Sequence, residues 1–222
     1  MRLLLVRHGE TEGNRNRVLQ GTEDPLTERG RRQARDLAAH LSGRDDVSKL
    51  YASPYRRAFD TASAIGAALG VEPEPRPALA EIDVGRAAGY RFETWAEAFP
   101  QEAARFRIRG VDYAWPGGES GRDLAARTEE EIDRILESHR RDGGTVVVVS
   151  HGGALAWVIA HLLGEPDGEW PHSYARLDNC SITEAEISSN GSSPARFLYT
   201  NEVGHLSSDP DEEAATGGDP VD

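Results

Sequence analysis

The amino-acid sequence predicts an α/β fold of three layers, with a mostly parallel central sheet, helices on both faces and a C-terminal β-hairpin. Three observations predict it. Short aliphatic runs alternate with longer segments of helical period. Two of the runs, "RLLLV" at 2–6 and "TVVVVS" at 145–150, each hold four consecutive aliphatic residues, as strands buried on both faces do. The chain of 222 residues, 38% of them hydrophobic, is long enough to bury one substantial core of this kind.

Each element has its own local signal. "RLLLV" reads as a central strand. Thr27 caps a helix running to about residue 41, with Ala34, Leu37, Ala38 and Leu41 on one face. "KLYAS" (49–53) reads as a strand, and a helix over 54–69 stops at Gly70, where a left-handed residue is wanted. "ALAEI" (78–82) is expected to form a short strand. Ser120 and Asp123 form a capping pair that opens a helix carrying Leu124, Ile132, Ile135 and Leu136. "TVVVVS" follows the Gly143-Gly144 turn, and "ALAWVIAHLL" (154–163), apolar nearly all round, predicts a buried helix ended by Gly164. "SITEAEI" and "ARFLYT" flank an Asn190-Gly191 turn and predict the hairpin.

Composition narrows the function. The formal net charge of −13 argues against nucleic acid or an anionic membrane as a partner. No run approaches the roughly 18 apolar residues of a membrane span, and the start lacks a secretory pattern. A cytoplasmic location is therefore expected. A single cysteine, Cys180, excludes an internal disulfide and reads as a small buried hydrophobe. Residues 207–222 carry six acids and no base, so a catalytic domain over 1–206 is expected to be followed by a disordered acidic tail. Only Lys49 is lysine among 25 basic residues, a bias that suits either a high-salt cytoplasm or a GC-rich genome.

In an open α/β sheet, ligands bind outside the carboxyl ends of the strands. Two strands here end in a histidine followed by glycine, as "RHGET" (7–11) and "VSHGG" (149–153). "SPYRRAFDTA" (53–62) adds an arginine at a helix start, and "LAEIDVG" (79–85) an acid after an apolar run. Together with "QGTEDPLTERG" (20–30), "PGGES" (116–120), "NCSIT" (179–183) and "NEVGHL" (201–206), these motifs resemble, in order, those of the histidine phosphatase superfamily, in its phosphoglycerate mutase-like branch. An ordered set of motifs over about residues 1–206 is far more specific than any one alone.

The resemblance implies a division of labour. His8 is the nucleophile that forms a phosphohistidine, and Arg7 and Arg57 hold the phosphoryl group, as planar guanidinium forks do. His151 donates to a phosphoryl oxygen. Glu81 protonates the leaving alcohol and then activates water, with Asp83 and Glu10 as weaker alternatives. Asn14 falls where the family binds phosphate, and Gln20 and Gly21 where it lines the pocket. The sequence implies neither metal nor cofactor, and His40, His139, His161 and His172 are assigned to surface or packing. One departure stands out: "RAAGY" places Ala87 and Ala88 where the family often carries an aromatic residue and a glutamate.

Hydrolysis of a small phosphomonoester is the expected activity. The alternatives are a cofactor-dependent phosphoglycerate mutase, a phosphoprotein phosphatase, or a phospho-ligand or partner-binding module without chemistry. The chain is short between Gly85 and Ser120, where mutases carry extra segments that exclude water. Residues 91–115 interleave Arg91, Arg105, Arg107 and Arg109 with aromatics, which fits either a cationic lid over the substrate or an amphipathic cover.

Overall fold

Alternation along the first strand sorts the helices between the two faces of the sheet. The computed structural model describes residues 1–141, 143–165, 169–171, 176–189 and 194–208. In β1 (Arg2–Arg7), Leu4 and Val6 pack with Leu37 and Leu41 of α2 (Glu28–Leu41) and Ile65 of α3 (Arg56–Leu69). Leu3 and Leu5 face the other way, against Ile132 and Ile135 of α6 (Gly121–His139) and Leu155 and Ile159 of α7 (Gly152–Leu163). The same division splits β4 (Thr145–Ser150): Val147 and Val149 join the first cluster, Val146 and Val148 the second. Side chains of successive strand residues point to opposite faces, so an uninterrupted aliphatic run needs a helical layer on each side.

Six strands form one sheet in the order β3-β2-β4-β1-β5-β6. β2 (Val47–Ala52), β3 (Glu74–Pro75), β4 and β1 run parallel, while β5 (Ile182–Glu186) pairs antiparallel with β1 and β6 (Arg196–Glu202) antiparallel with β5. The architecture is the α/β fold expected, including the closing antiparallel pair. The Asn190-Gly191 turn, His172 and residues 209–222 of the acidic tail lie outside the described residues. No helix among the described residues is long and apolar enough to cross a membrane.

Two readings need correction. Residues 78–82 form no strand: a 3₁₀ turn spans Pro77–Leu79, and the paired segment lies earlier, in β3. The N–H groups of Leu79 and Ala80 close this turn on the carbonyls of Arg76 and Pro77, and the carbonyls of Ala78 and Ala80 accept hydrogen bonds from Arg127 at 2.8 Å. A short helix, α1 (Glu12–Asn16), was not anticipated; Thr11 caps it, with Asn14 returning a hydrogen bond to the cap backbone.

Residues between β3 and α6 pack mainly on themselves. α4 (Trp95–Ala98) and α5 (Pro100–Arg109) gather Trp95, Phe106, Tyr113 and Trp115 into a small aromatic core. Arg91, Arg105, Arg107 and Arg109 are all exposed, and Arg105 pairs with Glu102 at 2.9 Å. The segment thus covers its own aromatic core, with these arginines in solvent.

Helix α6 begins at a reciprocal cap. Ser120 Oγ accepts from Asp123 N–H at 3.1 Å, and Asp123 Oδ2 accepts from Ser120 N–H at 3.0 Å. Loss of such a cap costs about 1 kcal/mol, or about 2–4 °C in Tm for a chain of this size. Ser120→Ala is expected to show that decrease in a thermal melt; an unchanged midpoint would contradict the capping role.

Candidate active site

Register alone sets two histidines side by side. β1 and β4 pair in parallel with Arg7 opposite Ser150, so the next residue of each strand, His8 and His151, emerges at adjacent carboxyl ends. His8 N–H donates to the Ser150 carbonyl at 3.0 Å. The two rings sit 5.1 Å apart in an edge-to-face arrangement, and both residues are buried. Gly9 permits the turn away from β1 to pass close to α2: a Cβ there would meet the Gly30 carbonyl oxygen at 2.6 Å.

The His8 ring has a defined tautomer. Nδ1 lies 2.7 Å from the Gly9 carbonyl, which only accepts, so Nδ1 carries the hydrogen and Nε2 keeps its lone pair. His151 Nε2 contacts Ser53 Oγ at 2.7 Å, while its Nδ1 is buried without a hydrogen-bond partner among the described residues. The same holds for Nε of Arg7 and Nε of Arg57. Arg7 donates to the Leu177 carbonyl, and Arg57, in the first turn of α3, donates to the Gly21 carbonyl at 2.7 Å. Three nitrogens on residues grouped about His8 thus lack the partner that buried polar atoms normally find.

The electrostatics agree. Burial, then Arg57 and Arg7, hold His8 well below the ordinary imidazole range. His151 is depressed likewise, by burial first and then by Arg57, His8 and Arg7. Burial also pulls Arg7 and Arg57 below the usual guanidinium value, against the opposing attraction of Glu81. Glu81 sits opposite the start of α7: Oε2 accepts from Gly153 N–H and Oε1 from Ile82 N–H, both at 2.9 Å. A Cβ on Gly153 would lie 2.5 Å from Glu81 Oε1, so glycine is required for that approach.

A family model described as the histidine phosphatase superfamily, branch 1, matches residues 3–199. The chain belongs to the histidine phosphatase superfamily. It is 34% identical over 206 residues to a bifunctional protein of Mycobacterium tuberculosis, a match covering 92% of this chain and 55% of that one; the chain thus spans about half of that relative's length. Phosphoserine phosphatase 1 of Hydrogenobacter thermophilus is 34% identical over 165 residues, covering 74% of this chain and 77% of the relative. Among solved structures, a mycobacterial glucosyl-3-phosphoglycerate phosphatase in complex with VO3 superposes with a TM-score of 0.76 at 30% identity, covering 90% of this chain and 98% of that one.

The remaining candidates of this histidine phosphatase chain are held by local hydrogen bonds. Asn14 Oδ1 accepts from Thr11 and from Asn179 Nδ2 at 3.1 Å. Gln20 Oε1 accepts from the Thr11 hydroxyl at 2.7 Å, and Gly21 N–H donates to Asp24 at 2.9 Å. Glu10 is turned aside, bonded to Thr27 at 2.9 Å and Arg29 at 3.2 Å. Asp83 caps the turn at Gly85. Cys180 is fully buried with φ 57°, and burial pushes its thiol pKa up.

Four supporting residues escaped the sequence reading. Ser53 engages His151, Thr61 Oγ1 accepts from Gly9 N–H at 3.0 Å, and Asn179 Nδ2 donates to the His8 carbonyl at 2.9 Å. Arg127 donates to the carbonyls of Ala78, Ala80 and Glu81 and to Glu119, fixing the loop that carries Glu81. Thr61 was within reach, since it lies four residues after Arg57 on the same helix face.

In the unfolded chain both histidines titrate near 6.5. The folded state keeps them neutral below that value, so between their depressed pKa values and about 6.5 the unfolded state binds more protons, and stability falls as pH falls. Two such groups contribute a slope of up to about 2.7 kcal/mol per pH unit. Urea unfolding midpoints measured without phosphate are expected to drop from pH about 6.5 to about 5, with a shallower decline in His151→Gln. An identical decline in that variant would contradict the assignment.

Proposed function

We propose that the protein is a phosphatase that hydrolyses a small phosphomonoester through a phosphohistidine on His8. The observation that carries this reading is the unprotonated Nε2 of a neutral, buried His8 among orphaned nitrogens of Arg7, Arg57 and His151. A phosphate ester is an anion that repels nucleophiles, and cationic forks aimed at its oxygens remove that barrier. The names of similar proteins, phosphoserine phosphatase and glucosyl-3-phosphoglycerate phosphatase, support the same substrate class.

The steps follow from the donors present. Arg7 and Arg57, with Asn14 at the rim, bind the phosphoryl oxygens, while Gln20 and Gly21 line the approach. His8 Nε2 attacks phosphorus as the ester P–O bond breaks, and Glu81 gives the departing alkoxide its proton. Ser53 Oγ accepts from Tyr55 N–H at 3.2 Å and gives its own hydrogen to His151 Nε2. His151 Nδ1–H is then the donor to a phosphoryl oxygen as charge builds. In the second half, the Glu81 carboxylate takes a proton from water, which displaces phosphate from His8 and restores the free ring.

Phosphate release from a chromogenic aryl phosphate in the presence of chelator tests the reading, with 3-phosphoglycerate and its 2-isomer as competing substrates. Hydrolysis is expected. No release from any phosphomonoester would overturn it, and isomer exchange faster than hydrolysis would make the protein a mutase. Glu81→Gln is expected to slow alkyl phosphates by about 10²–10⁴-fold and aryl phosphates much less, because a good leaving group needs little protonation. Equal losses would remove the acid role.

A further inference from the structure

Three metal-capable side chains that the phosphoryl site does not use meet at the end of α2. Among the described residues, His40, Glu202 and His205 each offer a ligand atom within 4.8 Å of the others. The His205 side chain is 1% exposed, and its ring stacks on His40 with centroids 5.0 Å apart and planes at 24°. No local spacing betrays a metal ligand set, because His40 and His205 lie far apart along the chain and meet only in the folded protein.

Hydrogen bonding makes this contact demanding. His205 Nε2 lies 3.1 Å from the Cys180 carbonyl, an acceptor, so Nε2 carries a hydrogen. Nδ1 lies 3.1 Å from Glu202 Oε2, and an ionised carboxylate is also only an acceptor. A neutral ring would aim a lone pair at that oxygen. A cation must therefore lie between them, either a second ring proton or a metal ion. Glu202 Oε1 is already occupied by Gly204 N–H at 2.6 Å, which leaves Oε2 for that cation.

His40 favours the metal. A proton is satisfied by the two atoms it joins, whereas a divalent ion takes three or four ligands, and a third donor stands at the same place. Two imidazoles and one carboxylate suit zinc and neighbouring transition ions rather than magnesium or calcium. Outer partners are in position too: ligating histidines commonly donate their other N–H to a carbonyl, as His205 does to Cys180. Tetrahedral bonds of about 2.0–2.1 Å set ligand atoms about 3.4 Å apart, close to the 3.1 Å between Nδ1 and Oε2. His40 is exposed and closes the remaining distance by side-chain rotation.

We infer that His40, Glu202 and His205 form a binding site for Zn²⁺ or a similar imidazole-seeking divalent ion, with water completing the coordination. Such an ion ties the end of α2 to the end of β6. It also sits two hydrogen bonds from the nucleophile's strand, since Cys180 N–H donates to the Arg7 carbonyl at 3.0 Å.

Calorimetric titration of the chelator-stripped full chain with Zn²⁺ tests the inference, with Co²⁺ visible absorption reporting the coordination geometry. One equivalent is expected to bind, Mg²⁺ is not, and His8→Ala retains the site. His40→Ala and Glu202→Gln are each expected to weaken binding by at least about 10-fold, the scale of loss when a metal site loses a supporting group. Glu202→Gln also guards against a folding artefact, because its amide N–H can satisfy His205 Nδ1 in place of the cation. No Zn²⁺ uptake by the parent, equal uptake of Mg²⁺, or undiminished Zn²⁺ binding by both variants would overturn the site and leave a proton-bridged pair.

Discussion

Two guanidinium groups and two imidazoles share one buried cluster, and that crowding of basic groups is tolerable only while both imidazoles are neutral. The rings stand 5.1 Å apart; two unit charges at that separation repel by about 3 kcal/mol at an effective dielectric of 20. Desolvation adds to the same bias. The consequence reaches the chemistry directly, since a neutral imidazole with its Nδ1 hydrogen committed to a carbonyl has one nitrogen left to attack with. In the proposed mechanism the arginines serve twice: they attract the phosphate ester, and with burial they keep His8 unprotonated until it arrives.

The fold supplies this cluster through backbone geometry more than through side-chain packing. Parallel register between β1 and β4 places His8 and His151 at neighbouring strand ends. Backbone carbonyls of Gly9, Leu177 and Gly21 then fix His8, Arg7 and Arg57 in turn. Glu81 arrives from a segment with almost no sheet pairing, and Arg127 substitutes for a strand partner by binding three of its carbonyls.

The sequence exposed those parts of the fold that rest on local periodicity or local capping. β1 and β4 were legible as aliphatic runs, α6 from the Ser120–Asp123 pair, and α3 from its stop at Gly70, where φ is 69°. Residues 78–82 were misread because an apolar run says nothing about where its carbonyls will bond, and Arg127 lies some 50 residues away. In the site, residue types announced by their motifs were found together, as His8, His151, Arg7 and Arg57 were. Ser53, Asn179 and Arg127 were missed for the opposite reason: each acts through a contact with backbone or ring that no spacing encodes. The stacked pair of His40 and His205 is a further case, invisible until β6 is laid along the sheet.

Trapping the enzyme with a phosphorus-labelled ester, followed by denaturation and peptide mapping, tests the role of His8 most directly. An acid-labile, alkali-stable phosphoryl group on the peptide carrying residue 8, bonded at Nε2 and lost in His8→Ala, is the predicted result. Label on another residue, or steady phosphate release by His8→Ala at the parent's rate, would contradict it.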